Sequence, residues 1–271
     1  MLGSDGVAQL LSTLARARVY DLGMPLYQGM PISHNHPQYM LTLQRRHGDT
    51  VRPGGMSSAN EVIVMCAHTG THIDALGHVS CDGRCYGGRD AQAIQRGGRG
   101  LRELDITEVP PIICRGVLLD VAALKGEDVL PGGYAVTADD LAAAERRQGV
   151  RVQAGDALLV RTGWIAHFAD VARFRGLDTG TPGPDASAAR WLVERGVRVT
   201  GDETISYEVT KAHDESRTVH PALLVDAGVH IIEVLNLEEL ARDRVYEFLF
   251  VCLPLRFVGG TGSPIRPLAL A

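Results

Sequence analysis

The sequence lacks the features that mark several classes of protein. No apolar run approaches the roughly 20 residues that a helix needs to cross a bilayer. There is no run rich in Lys and Arg, aromatic residues make up only 5% of the chain, and the formal net charge is -5, so nucleic acid is not expected as a partner. Residues 1–22 lack the charged region and cleavage pattern of a signal peptide. We therefore expect a soluble, cytoplasmic protein that acts on a small molecule and binds neither nucleic acid nor membrane.

Cysteine is too sparse and too irregularly spaced for a disulfide framework. The five cysteines are odd in number and include no C-x-x-C pair: Cys66, Cys81, Cys85, Cys114 and Cys252. This pattern is typical of reduced thiols in an intracellular protein.

The signatures of several common enzyme classes are also missing. The sequence has no G-x-S-x-G motif and no Walker phosphate loop. The glycines between Gly97 and Gly100 lack the preceding strand, the following helix and the spacing of a dinucleotide-binding loop. These absences count against serine hydrolases and nucleotide-dependent enzymes.

Apolar patterning predicts an α/β fold with buried strands. The predicted strands are Arg18–Leu22, Tyr39–Arg45, Glu61–Cys66, Pro111–Val121, Ala157–Arg161, Val197–Thr200, His230–Val234 and Phe248–Leu253. Helices are predicted at Val7–Ala17, Ala138–Gln148, Asp185–Arg195 and Ala222–Ala227. Gly- and Pro-rich breaks separate them without a change of composition, so we interpret residues 1–271 as one domain, with residues 1–18 as an N-terminal helical extension.

One short stretch, CAHTGTHIDALGH at residues 66–78, concentrates groups that bind metals. It follows the predicted strand Glu61–Cys66, so we place it at the C-terminal end of that strand. His68, His72 and Asp74 converge on one divalent ion if the chain turns at Gly70. Imidazole with carboxylate suits Zn²⁺ or Mn²⁺, and three protein ligands leave positions open for water or substrate. The sequence therefore predicts a catalytic metal site here.

The same stretch resembles the H-x-G-T-H-x-D-x-x-x-H signature of the cyclase family of metal-dependent hydrolases, which includes bacterial kynurenine formamidase and isatin hydrolase. Three further segments resemble family motifs: residues 21–31 (DLGMPLYQGMP), residues 158–164 (LLVRTGW) and residues 253–266 (LPLRFVGGTGSPIR). The resemblance covers roughly residues 19–269. It implies a swivelling β/β/α-type single domain with a mixed central sheet, and a homodimer or homotetramer.

The resemblance also implies the remaining ligands of a site with one or two ions, His220 and Glu233. Independently of the family, Pro221 is well placed to begin a short helix after His220, and Glu233 interrupts the apolar strand HIIEVL, where a carboxylate needs a cation or a partner. An outward-facing strand residue is the alternative for Glu233. His230 competes with His220, but it points to the face of the strand opposite Glu233.

The chemistry that follows from such a site is hydrolysis. A divalent ion lowers the pKa of bound water from 15.7 toward about 7 and polarises a carbonyl oxygen. The resemblance implies proton transfer by His78, which would be the general acid/base; a fourth ligand, or a histidine that only hydrogen-bonds a ligand, stays an alternative. We expect cleavage of a C–N bond in a small formamide or cyclic amide. A lactone hydrolase, a cyclase or dehydratase, and a non-enzymatic metal-binding protein remain open.

Some polar residues outside the cluster are candidates for substrate contact. His34, His36 and Tyr27 lie in the loop that, in the family, approaches the active site, although a solvated loop is the alternative. Arg217, Thr204 and Ser206 are candidates for binding a carboxylate product.

Overall fold

The computed structural model describes residues 3–213 and 216–271. The strands are, in chain order, β1 (Val19–Asp21), β2 (Met40–Arg45), β3 (Asn60–Val64), β4 (His72–Asp74), β5 (Arg84–Cys85), β6 (Arg89–Asp90), β7 (Ile112–Asp120), β8 (Ala135–Val136), β9 (Ala157–Arg161), β10 (Gly183–Pro184), β11 (Val199–Asp202), β12 (His230–Glu233), β13 (Glu247–Cys252), β14 (Gly262–Pro264) and β15 (Leu268–Leu270). The helices are α1 (Ser4–Leu14), α2 (Val121–Lys125), α3 (Ala138–Gln148), α4 (Val171–Phe174), α5 (Ala186–Glu194) and α6 (Glu238–Arg242), with a π-helical turn at Pro221–Ala227.

A nine-stranded mixed sheet organises the domain, in the order β1-β15-β13-β7-β9-β11-β12-β4-β14. Strands β7, β9, β11 and β12 run parallel to their neighbours within this group, and the strands at both ends of the sheet pair antiparallel. The predicted α/β fold with a mixed central sheet is confirmed.

Strands β9 and β11 are buried along their whole length because both faces of the sheet are covered. On one face Leu158 and Val160 join a core formed with α3, α5 and the π-helical turn. On the other face Leu159 and its neighbours pack with residues of α6. The alternation places successive residues of β9 in opposite cores.

Helix α3 shows how local sequence sets the ends of an element. Thr137 accepts a hydrogen bond from the backbone of Asp140, whose side chain accepts one from the Thr137 backbone, so that the two form a capping box. Gly149 ends the helix with a φ of 69°, a conformation that glycine adopts readily. The predicted and observed bounds of this helix therefore agree.

The segment before the histidine cluster differs from its prediction. The β-forming run at Glu61–Cys66 becomes β3, which ends at Val64 and pairs with β2 in a separate hairpin outside the main sheet. Every residue of β3 is exposed, so it is not one of the buried strands. His72 and Asp74 instead lie on a strand of their own, β4, within the main sheet. The cluster therefore follows a strand in the chain, as predicted, but that strand is exposed and two of the cluster's side chains lie within the main sheet.

No helix in the two described segments, 3–213 and 216–271, is long and apolar enough to span a membrane.

Candidate metal centre

Strand β4 directs its first and last residues to the same side. Side chains alternate along a strand, so His72 and Asp74 share one face while Ile73 enters the core on the other. Gly70, with a φ of 62°, makes the turn that brings His68 back toward them. Gly262, the first residue of the neighbouring strand β14, leaves space for the His68 ring, because a Cβ at this position would lie 2.6 Å from His68 Cε1.

The side chains of Glu233 and His220 also approach His72 and Asp74. Glu233, at the end of β12, is paired with His72 in the antiparallel register. His220 immediately precedes the π-helical turn, which begins at Pro221. Its Nε2 lies 3.2 Å from Oε1 of Glu233 and 3.9 Å from Oδ2 of Asp74. Residues far apart in sequence thus meet because the sheet order places β12 beside β4.

The predicted ligands form a compact buried cluster. His68 Nδ1 is 2.8 Å from Asp74 Oδ1, and His72 Nε2 is 3.6 Å from the same oxygen. His72 Nε2 is also 3.4 Å from Oε2 of Glu233. All five predicted ligands, His68, His72, Asp74, His220 and Glu233, are buried. The structure therefore brings together every residue for which the sequence predicted a ligand role.

Within residues 3–213 and 216–271, two sets of three groups have ligand atoms close enough to hold a cation. The atoms of His68, Asp74 and His78 lie within 4.8 Å of one another, and so do those of Asp74, His220 and Glu233. Asp74 belongs to both sets, so its carboxylate would contact an ion held by either of them. His78 falls in one of them, so its alternative role as a ligand stays open.

The cluster has unmet bonding capacity that suits a divalent ion. Both carboxylate oxygens of Asp74 and Nδ1 of His68 are buried and make no hydrogen bond within the described residues, although His68 Nδ1 and Asp74 Oδ1 are close. Hydrogen bonds elsewhere orient two rings: His68 Nε2 contacts Thr261 Oγ1 at 2.9 Å and His72 Nδ1 contacts the Gly70 carbonyl oxygen at 2.8 Å. Each ring thus presents its other nitrogen to Asp74, as a metal ligand requires.

The electrostatics of the cluster favour a cation as well. Burial raises the pKa of Glu233 to about 7, and the nearby Asp74 carboxylate adds to the effect. Burial also opposes ionisation of Asp74, but the surrounding imidazoles, His78 first, hold its pKa below the usual range. Burial lowers the pKa of His72 to about 3, so this ring is neutral at neutral pH. A neutral imidazole between two carboxylates is a donor set for Zn²⁺ or Mn²⁺.

Glu208 is a buried carboxylate beside His220 that no sequence motif indicated. Its Oε1 lies 2.5 Å from Nδ1 of His220, and the backbone N–H groups of Thr218, Val219 and His220 donate to its carboxylate. It therefore fixes the ring so that Nε2 faces Glu233 and Asp74, the role of a carboxylate behind a metal-binding histidine. The only local signal is a carboxylate 12 residues before His220.

His78 borders the open cleft above the cluster. Its ring stacks on His68 with 4.0 Å between ring centres. Burial lowers the pKa of His78 to about 4, which leaves its imidazole neutral and able to accept a proton at neutral pH. The cleft has a volume of about 530 Å³ and is also lined by His36, Ser206 and Arg217.

The other candidates divide between the cleft and elsewhere. His34 and Tyr27 are exposed and do not line the cleft, and Tyr27 packs edge-on against Phe168. Thr204 is fully buried and donates to Asp202. His72 and His230 belong to neither set of metal-binding groups. The His72 ring nevertheless lies against the Asp74 and Glu233 carboxylates, whereas His230 contacts the main-chain carbonyl of Asp74 at 2.9 Å.

Known proteins with similar sequences and structures include cyclases and hydrolases. The sequence model of a family described as "Putative cyclase" matches residues 20–209. Isatin hydrolase from Roseibium aggregatum is 28% identical over 215 residues, which cover 77% of this chain and 73% of that protein. The crystal structure of a novel cyclase is 27% identical, with a TM-score of 0.87 over 98% of this chain and 93% of the other. A structure described as a potential metal-dependent hydrolase with cyclase activity is 25% identical, with a TM-score of 0.62 over 94% of this chain and 99% of the other.

The fold and the cluster together define a single α/β domain that gathers imidazoles and carboxylates for a divalent metal ion. The chain belongs to the cyclase family. The resemblance seen in its sequence motifs is thereby confirmed, and the relatives include proteins described as hydrolases.

Proposed function

We propose that this protein is a metal-dependent hydrolase that cleaves a C–N bond in a small formamide or cyclic amide. The observation that carries the proposal is the buried cluster in which Asp74 is shared by two sets of metal-binding groups. The proposed ligands are His68, His72, Asp74, His220 and Glu233, for one or two ions of Zn²⁺ or Mn²⁺. One relative named as an isatin hydrolase and another described as a potential metal-dependent hydrolase support the reaction class.

The ion supplies a water of lowered pKa and polarises the substrate carbonyl when it is bound. His78 is then the general base and acid, because its imidazole borders the cleft and is neutral at neutral pH. It accepts the proton of the attacking water and returns it to the nitrogen that departs.

Two other reactions suit the same groups. An ester carbonyl is attacked as readily as an amide, so a lactone is an alternative substrate. A cyclase or dehydratase would use the cluster to stabilise charge on an enolate oxygen. A metal-binding protein without turnover is the third alternative, and it would show saturable binding alone.

The cleft gives a guide to the substrate. Among the described residues that line it, none is Phe, Tyr or Trp, while Ser33, Asn35 and Ser206 offer hydroxyl and amide groups. Among the described residues that line the cleft, Arg217 is the only one with a Lys or Arg side chain. Asp82 and Glu233 place carboxylates in the same lining, so its charge does not select an acidic substrate, and we expect a small polar amide.

A substrate panel on the metal-loaded protein tests the proposal. It covers aryl formamides, isatin-like cyclic amides, hydantoins and lactones, with matched amides that do and do not carry a carboxylate. Hydrolysis consumes water and releases acid, whereas cyclisation or dehydration does not consume water. Saturable binding of these compounds with no turnover of any of them would contradict a hydrolytic function.

We also propose that the protein is a homodimer or homotetramer. The hairpin of β2 and β3 supports this, because apolar side chains are exposed on both of its faces. One face carries Met40, Val62 and Val64, and the other Leu41, Leu43 and Ile63. A two-stranded hairpin is marginally stable alone in water, and exposed apolar patches mark interaction surfaces.

A further inference from the structure

The hydroxyl of Thr71 joins two main-chain segments that are far apart in sequence. Its Oγ1 accepts a hydrogen bond from the Met24 N–H at 2.8 Å and donates one to the Val234 carbonyl at 2.6 Å. Thr71 is 2% exposed and Val234 is 3% exposed, so solvent cannot substitute for the bond between them. The residue lies immediately before His72 on the approach to β4.

The Val234 end of this link is a strained piece of backbone. Val234 has a φ of 58°, a left-handed conformation that is unfavourable for a β-branched residue. Such a conformation persists only where the surroundings hold it. Here the Val234 N–H donates to the Thr204 carbonyl at 3.0 Å and its own carbonyl accepts from Thr71, so the peptide groups on both sides are fixed.

The position of Val234 connects the strain with the metal centre. It directly follows Glu233, the last residue of β12, so its backbone conformation sets where the strand ends and where the Glu233 carboxylate points. A relaxation of Val234 to negative φ would move the peptide that the two residues share. The carboxylate would then leave its place beside His72 and His220.

The Met24 end of the link belongs to the segment that borders the cleft. Met24 stands near the start of residues 23–38, which carry Ser33, Asn35 and His36 to the cleft wall. The same segment packs against the turn before β4: a Cβ on Gly70 would overlap the Leu26 side chain. One hydroxyl therefore holds both this segment and the end of β12.

We propose that Thr71 is a positioning residue that keeps Val234 in its left-handed conformation and so aims the Glu233 carboxylate, while anchoring segment 23–38 against the same centre. The proposal rests on the assignment of Glu233 as a metal ligand. Both hydrogen bonds are made by the Thr71 hydroxyl, so this positioning role requires the hydroxyl and not the methyl group.

Zinc affinity, measured by titration calorimetry on the metal-stripped full chain, provides a readout that does not depend on turnover. Thr71→Val, which removes the hydroxyl at nearly constant volume, should weaken zinc binding by about 10- to 100-fold, the usual effect of losing a group that orients a ligand. Thr71→Ser keeps the hydroxyl and should bind zinc within about twofold of the unmodified chain, since neither of its hydrogen bonds depends on the methyl group.

Thr69→Val is the matched control. Thr69 is in the same turn and fully buried, but its hydroxyl makes no hydrogen bond within the described residues. Its replacement should leave zinc affinity unchanged. Equal losses in the Thr69 and Thr71 variants, or zinc binding by Thr71→Val that matches the unmodified chain, would overturn the proposal.

A double-mutant cycle tests the part played by backbone strain. Glycine adopts positive φ at no steric cost, so Val234→Gly removes the strain that Thr71 restrains. The loss caused by Thr71→Val should therefore be several-fold smaller in a Val234→Gly background. An equal loss in both backgrounds would show that Thr71 does not act through Val234. If zinc binding follows the proposal while the substrate panel shows no turnover, the proposed function fails and the role of Thr71 stands.

Discussion

Glu233 stands directly opposite His72 across the antiparallel pair formed by β12 and β4, with 3.4 Å between Oε2 and Nε2. Opposed residues of neighbouring strands present their side chains on the same face. This pairing, rather than any local motif, brings the C-terminal half of the cluster to the N-terminal half.

Metal removal should abolish activity, and Zn²⁺ or Mn²⁺ should restore it. Substitution of Asp74 or Glu233 by Ala should lower the number of ions bound per chain, because each carboxylate is placed to contact a cation. Elemental analysis of the purified variants measures this number. Metal content equal to that of the unmodified chain in both variants would remove these residues from the ligand set.

His78→Ala should keep its metal content while kcat falls by roughly 10² to 10⁴, the range for general acid/base catalysis. The loss should be smaller for activated esters or anilides, whose leaving groups need less protonation. If His78 is a ligand instead, metal affinity should fall with activity and excess metal should rescue part of the rate. A metal-replete and fully active variant would contradict both roles.

Glu208→Gln should weaken metal binding by about 10- to 100-fold, since the carboxylate that orients His220 becomes a neutral amide. Glu145→Gln is the matched control: Glu145 is also buried and pairs with Arg195, but it belongs to neither set of metal-binding groups. The control should lower thermal stability without changing metal affinity. Parallel changes in both variants would indicate a general loss of stability.

Metal binding should release a proton from His220. Burial alone would lower its pKa, but Glu208 and Glu233 together raise the pKa of His220 from 6.5 to about 10 in the metal-free chain. A cation at Nε2 requires the neutral ring, so apparent affinity should rise with pH, by up to about tenfold per unit for one proton displaced. Calorimetry at pH 7 in buffers of different ionisation enthalpy measures the release, and identical heats would contradict it.

The same shift should appear in the stability of the metal-free chain. A raised pKa in the folded state means that protonated His220 stabilises the fold fully below pH 6.5, and that this contribution is lost as the pH rises toward about 10. His220→Gln should remove that part of the pH dependence. Thermal unfolding of both chains between pH 6 and 10 provides the measurement.

Size-exclusion chromatography with light scattering should show a homodimer or homotetramer. Leu43→Lys with Ile63→Lys, which places charge on one exposed face of the hairpin, should lower the mass, because the buried charges would be unpaired. Leu177→Lys is the control at an exposed apolar residue outside the hairpin. A monomer at micromolar concentration would contradict the proposed assembly.

Several local features of this protein can be predicted from short stretches of its sequence. Capping residues and apolar periodicity specify α3 and β9, because hydrogen bonds to neighbouring residues and burial on both faces leave a direct trace in the chain. The density of ligand-type residues at 68–78 identified half of the cluster, and similarity to a family supplied His220 and Glu233.

Contacts between groups that are distant in sequence depend on how the strands are ordered and paired. Glu208 lies behind His220, and Thr71 reaches Val234, because of the order and register of strands, which no local pattern encodes. The exposure of β3 has the same origin: its run of β-forming residues predicts a strand but not whether the strand enters the main sheet. Local propensity therefore predicts where helices and strands form. Which strands pair with one another depends on the packing of the whole domain.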